Sequence, residues 1–321
     1  MRNVLKVLFC LAATAGFAAI AEAQIRFEVH PVQTRSPTML QFLNDAKDAR
    51  PAQIAGELRF PLFGETRMPA VILVHGSGGI GSNVRDWADL LNKQGYAVFL
   101  LDSFSGRGIT STVADQTQLS ASAMLYDSWR ALEMLAKHPR IDPGRIAIMG
   151  FSKGGFAALY SALTRFQKLH GPQDLKFAGH IVFYAACNTS FAEDLVTDKT
   201  PIRFFHGLAD DYTLAEPCRT YASKLKETGN DAVFFGYAGA HHAFDAAGLS
   251  RPLKLRNAVT ARTCRITERP RGALVNEETG KAPTLSDPCI ERGATIAHSA
   301  AALAASRKEV AAFLKALFKK P

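Results

Sequence analysis

Short apolar segments alternate with longer amphipathic segments along most of this chain, and this alternation limits the possible folds more than any other feature. Six segments rich in β-branched and aromatic residues have the length of buried strands: VILV (71–74), YAVFLL (96–101), RIAIM (145–149), HIVFY (180–184), IRFF (202–205) and AVFF (232–235). The segments between them have the 3.6-residue period of helices. Strands and helices in this order indicate a mostly parallel central sheet covered by helices.

Apolar residues on one helical face, together with glycine and proline, set the bounds of the predicted helices. They predict one helix that ends at Gly95, one that ends before Pro139 and one that ends at Gly229. A last helix is predicted at about 300–318, where its apolar side chains would pack on the sheet.

The segment 249–293 differs from the rest of the chain. It has few apolar runs, several arginines and many turn-forming residues, so we expect a loop-rich insertion before the last helix. The remaining elements belong to one pattern. We therefore predict that residues 24–321 form a single domain that contains this insertion.

The first residues have the features of a secretory signal peptide. Arg2 and Lys6 precede a 15-residue apolar run, and Ala21-Glu22-Ala23 matches a cleavage site. A membrane anchor is the alternative, but the run is shorter than the roughly 20 residues that span a bilayer. We expect residues 1–23 to be removed, and the mature protein to be periplasmic or secreted without stable membrane association.

The basic residues do not form a continuous patch. The net charge is +9, but the cations are scattered, with only a mild cluster at Lys315, Lys319 and Lys320 in the last helix. A nucleic-acid surface would be expected to carry aromatic residues among its lysines, and few aromatic residues lie among these. The charge is therefore interpreted as a solvated face, and no nucleic-acid partner is predicted.

Four cysteines remain after the predicted cleavage, and an even number in an oxidising compartment indicates disulfides. Three pairings are possible. Cys187–Cys218 is favoured because both residues follow predicted neighbouring strand ends, and Cys264–Cys289 because these two bracket one loop-rich segment within 249–293. None of the four has the spacing of a zinc site, so no metal is predicted.

The segment Gly150-Phe151-Ser152-Lys153-Gly154 lies directly between a predicted strand and a predicted helix. A nucleophile elbow requires this setting, because its serine occupies a sharp turn and the flanking glycines let backbone segments approach closely. The pattern alone is weak, since an ordinary glycine-rich turn also fits it. In this setting it predicts Ser152 as a nucleophile.

A serine hydroxyl needs a base to remove its proton and an acid to orient that base. After IRFF the chain reads HGLADD, and after AVFF it reads GAHHAF, so both segments follow strand ends. We assign Asp210 as the acid, with Asp211 as a helix cap, and His242 as the base, with His241 as a structural neighbour. A structural role is expected for the other histidines: His30, His75, His138, His170, His180, His206 and His298.

Acyl transfer also requires N–H donors for the oxyanion that forms in the transition state. The N–H of Lys153, directly after the nucleophile, would supply one donor. The loop His75-Gly76-Ser77-Gly78-Gly79 follows the strand VILV, and its Ser77 or Gly78 amide would supply the second. A simple glycine turn is the alternative reading of this loop.

These motifs resemble the dienelactone hydrolase family of the α/β-hydrolase fold over nearly the whole mature chain. The resemblance rests on HGSGG, DSFSGRG, GFSKGG, HGLADD with a following Pro-Cys, and GAHHAF. It implies a triad of Ser152, Asp210 and His242, and it supports the Cys187–Cys218 pair. The enzyme that names the family uses a cysteine nucleophile, whereas this chain has a serine.

Three residues are candidates for substrate contacts. Arg107 follows a strand end and would steer a substrate carboxylate, unless it pairs with Asp102. Phe151 and Tyr184 would line an acyl pocket or pack in the core.

The function that follows is hydrolysis of a small-molecule carboxylic ester through an acyl-enzyme, with no cofactor. An exported peptidase resembling prolyl oligopeptidases is one alternative, although the chain has no large gating domain. A binding protein that kept the fold is another. Loss of a triad residue would identify such a protein, and the sequence retains all three.

Overall fold

The structure is a computed structural model, and it describes residues 27–62 and 66–319. The predicted signal peptide, residues 1–23, lies outside the described residues. Within the described ranges, no helix combines the length and the apolar character needed to cross a bilayer.

The described part of the chain forms thirteen strands. In chain order they are β1 (Phe27–Ser36), β2 (Arg50–Arg59), β3 (Met68–Val74), β4 (Ala97–Asp102), β5 (Ile141–Phe151), β6 (His180–Phe183), β7 (Thr189–Ser190), β8 (Ile202–Gly207), β9 (Ala232–Tyr237), β10 (Leu253–Thr260), β11 (Ile266–Arg269), β12 (Ala273–Asn276) and β13 (Glu291–Ile296).

Seven α-helices accompany these strands in the same ranges. They are α1 (Met39–Leu43), α2 (Ser82–Lys93), α3 (Ala121–Ala136), α4 (Lys153–Tyr160), α5 (Thr164–His170), α6 (Ala215–Glu227) and α7 (Ala300–Leu317). Short 3-10 turns lie at Ser105–Arg107, Gln116–Gln118 and Pro270–Gly272.

Eight strands form one sheet in the order β1-β2-β4-β3-β5-β6-β8-β9. From β4 to β9 all neighbours are parallel, whereas β1 and β2 add an antiparallel edge. All six predicted strands lie in this sheet, and the predicted mostly parallel architecture is confirmed. The edge hairpin was not predicted, because about half of its residues face solvent and it has no continuous apolar run.

Both faces of the sheet are buried, as a parallel sheet requires. On β3, Val71 and Leu73 belong to one apolar cluster, whereas Ile72 and Val74 belong to the other. Helices α2 and α7 cover the first face, while α3, α4 and α6 pack on the second. The predicted last helix is therefore confirmed in its place on the sheet.

The insertion contains more regular structure than the sequence indicated. β10 pairs with β13, and β11 pairs with β12 and with β7 outside the insertion. Buried and exposed positions do not alternate regularly in these strands, and β11 and β12 have only four residues each, so they lack the period of two by which strands are recognised. The predicted disulfide Cys264–Cys289 pins this segment, and Cys187–Cys218 joins the chain after β6 to α6.

The turn from β5 to α4 is packed so closely that its two glycines, Gly150 and Gly154, have no room for a side chain. A Cβ built on Gly150 would lie 1.9 Å from the carbonyl oxygen of Gly154. A Cβ on Gly154 would lie 2.1 Å from the carbonyl oxygen of Val74 on the neighbouring strand β3. Glycine at these positions therefore lets the strand, the turn and the helix pack in contact.

We predict that Gly154→Ala destabilises the protein by about 1–3 kcal/mol, because the new methyl group overlaps backbone that cannot move independently. Gly144→Ala is the matched control, since a Cβ there would meet only Asp142 Oδ1 at 3.5 Å. The control should change the free energy of unfolding by less than about 0.5 kcal/mol. Urea denaturation of both variants measures the difference, and equal stabilities would contradict the close packing of this turn.

Candidate active site

Ser152 lies in the turn between β5 and α4 with a backbone that non-glycine residues rarely adopt. Its φ is +54° and its ψ is −114°. Such a conformation costs about 1–3 kcal/mol and persists only where the surroundings impose it. Here the Ser152 N–H donates to the carbonyl of Phe183 on β6 at 2.9 Å, which fixes the turn to the sheet. The side chain is left half-buried, at the carboxyl edge of the sheet.

His242 lies on the loop after β9 and faces Ser152. Its Nε2 accepts from Ser152 Oγ at 3.0 Å. The ring lies between Tyr184 and Tyr212, with centroid distances of 4.6 and 4.8 Å. Its backbone carbonyl accepts from Ala297 N–H at 3.1 Å, so the chain after β13 holds this loop.

Asp210 lies on the loop after β8 and completes the hydrogen-bonded chain. Its Oδ2 accepts from His242 Nδ1 at 2.8 Å, and its Oδ1 accepts from the N–H groups of Tyr212 and Thr213. The side chain is fully buried. Burial opposes the charge, but the attraction of His242 and hydrogen bonds from His206 and His242 outweigh it and hold the pKa of Asp210 below its usual range.

His206 is a neighbour of this carboxylate that sequence reasoning missed. Its Nε2 lies 2.7 Å from the Thr213 carbonyl oxygen and 3.3 Å from Asp210 Oδ2. The signal was its place four residues before Asp210, at the end of β8. His206 at the end of β8 and Asp210 on the loop that follows therefore lie at the same edge of the sheet.

Asp211 does not cap the following helix, which corrects the sequence prediction. The N-cap residue of α6 is Leu214, with no side-chain cap. The Asp211 carboxylate instead accepts from the N–H and the hydroxyl of Thr295 on β13, at 2.6 and 2.9 Å. Adjacent carboxylates thus have separate tasks: Asp210 binds the histidine and Asp211 binds the insertion.

Within residues 27–62 and 66–319, His241 forms no side-chain hydrogen bond to Ser152, His242 or Asp210, and its Nδ1 is buried without a partner. The structure therefore brings Ser152, His242 and Asp210 together in the predicted order. The neighbouring Asp211 and His241 lie outside this hydrogen-bonded chain.

The predicted oxyanion donors lie beside Ser152. The Lys153 N–H is the first of α4, and a helix leaves its first N–H groups without intrahelical partners. Across from it, a Cβ built on Gly76 would lie 3.2 Å from Ser152 Cβ, so the loop after β3 packs directly on Ser152. A Gly79 N–H to Gly76 carbonyl bond closes this loop around Ser77 and Gly78.

The ammonium group of Lys153 has a separate role that the sequence did not indicate. It donates to the carbonyls of Leu119 and Gln116 at 2.6 and 3.1 Å and to Thr112 Oγ1 at 3.2 Å. Burial lowers the pKa of this ammonium to about 8, and the attraction of Asp115 opposes part of the shift. The side chain thereby ties the loop before α3 to the turn that carries the nucleophile.

Arg107 does not face a substrate site, and it does not pair with Asp102. Its guanidinium forms a bidentate ion pair with Asp127 of α3 at 2.7 and 2.8 Å and also donates to Ser36 Oγ and to backbone carbonyls. The side chains of Arg107 and Asp127 are 6% and 0% exposed. Its donors are therefore used inside the protein, and the expectation that Arg107 steers a substrate carboxylate is corrected.

Phe151 and Tyr184 are both buried and both border the site. Phe151 packs against Phe183 in the core. Tyr184 lies against the ring of His242, and its hydroxyl donates to Asp245 Oδ1 at 2.7 Å. Burial and the nearby Asp245 charge raise the pKa of Tyr184 well above its usual range, so this hydroxyl stays protonated. The Tyr184 ring thus packs against the ring of His242 and helps to fix its position.

Two cavities meet at Ser152. One has a volume of about 190 Å³ and includes Lys153, Phe156 and Pro217 among its lining residues. The other has a volume of about 350 Å³ and includes His242 and Gly78. The insertion forms part of both walls, since β10 contributes to each cavity. The Ser152 hydroxyl thus lies between two pockets, an arrangement that suits a ligand with groups on both sides of this hydroxyl.

A cluster of metal-ligand types lies on the opposite part of the fold, at Glu28, His30 and His138. Both histidine Nε2 atoms contact Glu28 Oε2, at 2.7 and 3.1 Å. The Arg140 N–H donates to His138 Nδ1, so the proton of this ring is on Nε2 and points to the carboxylate. This arrangement fits hydrogen bonding to Glu28 and does not offer the His138 Nε2 lone pair to a metal.

Comparison with known proteins agrees with the fold and with the motifs at the site. A sequence model described as the dienelactone hydrolase family matches residues 61–269, which is more than half of the chain. The chain therefore belongs to the dienelactone hydrolase family, and its fold is that of the α/β hydrolases.

Individual relatives are more distant. Acyl-protein thioesterase 1 of Aspergillus fumigatus is 31% identical over 33% of this chain, and the alignment spans 43% of that relative. A probable 2-oxo-3-(5-oxofuran-2-ylidene)propanoate lactonase of Bradyrhizobium is 25% identical over 56% of this chain and 74% of its own length. This chain thus matches less than half of the thioesterase.

Among solved structures, a dienelactone hydrolase-like promiscuous phosphotriesterase from metagenomic libraries superposes with a TM-score of 0.57. It is 16% identical and covers 92% of this chain and all of its own. At this identity the likeness concerns the fold.

We predict that Arg107 and Asp127 stabilise the protein as a pair. Arg107→Met leaves a buried carboxylate without its cation and should cost about 3–5 kcal/mol of folding free energy. Asp127→Leu should also destabilise, but the double variant should lose less than the sum of the two single losses. Denaturation of the four proteins measures this coupling, and additive losses would show that the pair does not interact.

Proposed function

We propose that this protein is a serine hydrolase that cleaves carboxylic esters through an acyl-enzyme intermediate. The observation that carries the proposal is the continuous hydrogen-bonded chain from Ser152 Oγ to His242 at 3.0 Å and from His242 to buried Asp210 at 2.8 Å. Its setting supports the same function, since the helix N-terminal amide of Lys153 adjoins the hydroxyl and a cavity opens on each side of it.

In the first step His242 Nε2 removes the proton of Ser152 Oγ as the oxygen attacks the ester carbonyl carbon. The carbonyl oxygen becomes negative and receives hydrogen bonds from the Lys153 amide and from the Ser77 or Gly78 amide. When the carbon–oxygen bond to the alcohol breaks, the protonated His242 gives its proton to the leaving oxygen. The alcohol departs and the acyl group remains on Ser152.

In the second step His242 removes a proton from water, which attacks the acyl carbon and releases the acid and the Ser152 hydroxyl. Asp210 keeps the Nδ1 proton in place and stabilises the imidazolium in both steps. Its low pKa serves this role, because the carboxylate must stay ionised while the ring beside it gains a proton. The proposed chemistry uses these side chains and amides and no cofactor.

The relatives support hydrolysis of ester-type bonds, since the names of two of them denote a thioesterase that acts on acyl-proteins and a lactonase. The serine at position 152 separates this chain from the cysteine-dependent enzyme that names the family, so we do not propose dienelactone as the substrate. We also propose that the protein is exported. The two disulfides support this location, because they persist in oxidising compartments.

We predict that Ser152→Ala and His242→Ala each reduce kcat for p-nitrophenyl butanoate by about a millionfold, because each removes a reacting group. Asp210→Asn should reduce kcat by about ten-thousandfold, since an amide favours the wrong histidine tautomer. Release of nitrophenol at neutral pH measures all three variants of the chain from residue 24.

Asp211→Asn is the matched control for Asp210→Asn. Its side-chain oxygen still accepts from Thr295 and does not touch His242, so kcat should stay within about tenfold of the unmodified protein. Equal losses in Asp210→Asn and Asp211→Asn would reject Asp210 as the orienting acid. A folded protein that hydrolyses no ester would reject the proposed function and favour a binding role.

A further inference from the structure

The two cavities at Ser152 differ in whether His242 lines them. Ser152, Ser77 and Tyr212 border both of them, so both open at the nucleophile. His242 borders the cavity of about 350 Å³ and is absent from the lining of the cavity of about 190 Å³. We call the first the histidine-side cavity and the second the lysine-side cavity, because Lys153 lines the latter.

The position of His242 decides which part of the ester enters each cavity. The leaving alcohol must accept its proton from His242 Nε2, so its oxygen must lie within hydrogen-bond distance of that atom. The alcohol part therefore belongs in the histidine-side cavity. The acyl part extends from the same carbonyl carbon in the other direction, toward the lysine-side cavity.

We propose that the lysine-side cavity is the acyl pocket, that it limits substrates to esters of short apolar acids, and that Val259 of β10 sets this limit. This inference rests on the proposed ester hydrolysis and adds the substrate class. The lysine-side cavity has a volume of about 190 Å³ and is the smaller of the two. The histidine-side cavity is about twice as large and accepts a bulkier alcohol.

The chemistry of the walls agrees with an apolar acyl group. Phe156, Leu214, Pro217 and Val259 present carbon to the lysine-side cavity. Two cations also line this cavity, and both are paired: Lys153 donates to three oxygens of the loop before α3, and Arg262 donates to the Asp211 carbonyl and to the Glu291 carboxylate. A chain of methylenes thus meets apolar partners along most of this pocket.

Strand β10 allows the two cavities to be altered separately. Val259 lines the lysine-side cavity and Leu255 lines the histidine-side cavity. The pairing of β10 with β13 is irregular between these two residues, and each of them lines its own cavity from the same strand. The strand is held by backbone groups: Val259 N–H donates to the Val113 carbonyl, and Thr260 Oγ1 donates to the Tyr212 carbonyl at 2.6 Å. Substitution of either side chain leaves these bonds in place.

The experiment measures kcat/KM in two series of esters, with the unmodified protein, Val259→Ala, Val259→Phe and Leu255→Ala. The first series varies the acyl chain of p-nitrophenyl esters from about two to about twelve carbons. The second keeps a butanoyl group and varies the alcohol from methyl to naphthyl. The unmodified protein should lose about tenfold or more in kcat/KM for each methylene beyond the limit of the pocket, and this limit should fall inside the series.

Val259→Ala should move this limit to longer acyl chains by one or two methylenes and leave the order of alcohols unchanged. Val259→Phe should move the acyl limit to shorter chains. Opposite shifts in the two variants would distinguish a change of pocket length from a general loosening of the packing. Leu255→Ala should leave the acyl limit unchanged and raise kcat/KM for the largest alcohols relative to methyl.

Two results would overturn the assignment while ester hydrolysis stands: an exchange of these effects between Val259 and Leu255, or an acyl limit that no Val259 variant moves. Failure of the unmodified protein to hydrolyse any ester of either series would instead reject the proposed function on which the inference rests.

Discussion

The backbone of Ser152 is the constraint on which the site depends. Its positive φ turns the chain sharply from β5 into α4, and it is held there by the hydrogen bond to β6 and by glycines at 150 and 154 that leave no gap between strand and helix. The strain of about 1–3 kcal/mol that this conformation carries is small beside the packing of the surrounding sheet. Because the turn is fixed, the hydroxyl and the Lys153 amide are presented to the same point.

The second half of the site is built around a buried charge. Asp210 would be costly to bury alone, but two backbone amides and the His242 ring satisfy it and keep it ionised. The insertion contributes to the same arrangement, since Asp211 binds Thr295 and the chain after β13 holds the backbone of His242. The insertion thus helps to hold His242 in position, and it forms part of the walls of both cavities.

Much of this arrangement could be predicted from sequence because its signals are local. Buried strands appear as apolar runs, and a reactive residue at a strand end is brought to the shared edge by the topology of a parallel sheet. The remainder depends on contacts between distant segments. The Asp127 partner of Arg107 lies on a helix twenty residues later, and Asp211 binds Thr295 on β13. Buried and exposed residues do not alternate regularly in the strands of the insertion. Neither spacing nor hydrophobic period encodes such pairs.

The proposed reaction depends on Ser152 as the activated nucleophile of this chain. Its reactivity can be measured by treating the folded protein with a fluorophosphonate, followed by intact-mass and peptide mass spectrometry. We expect one label for each chain, located on the peptide that contains Ser152, with no label on Ser152→Ala and slower labelling of His242→Ala. A label on another residue, or a folded protein that takes none, would show that Ser152 is not the nucleophile.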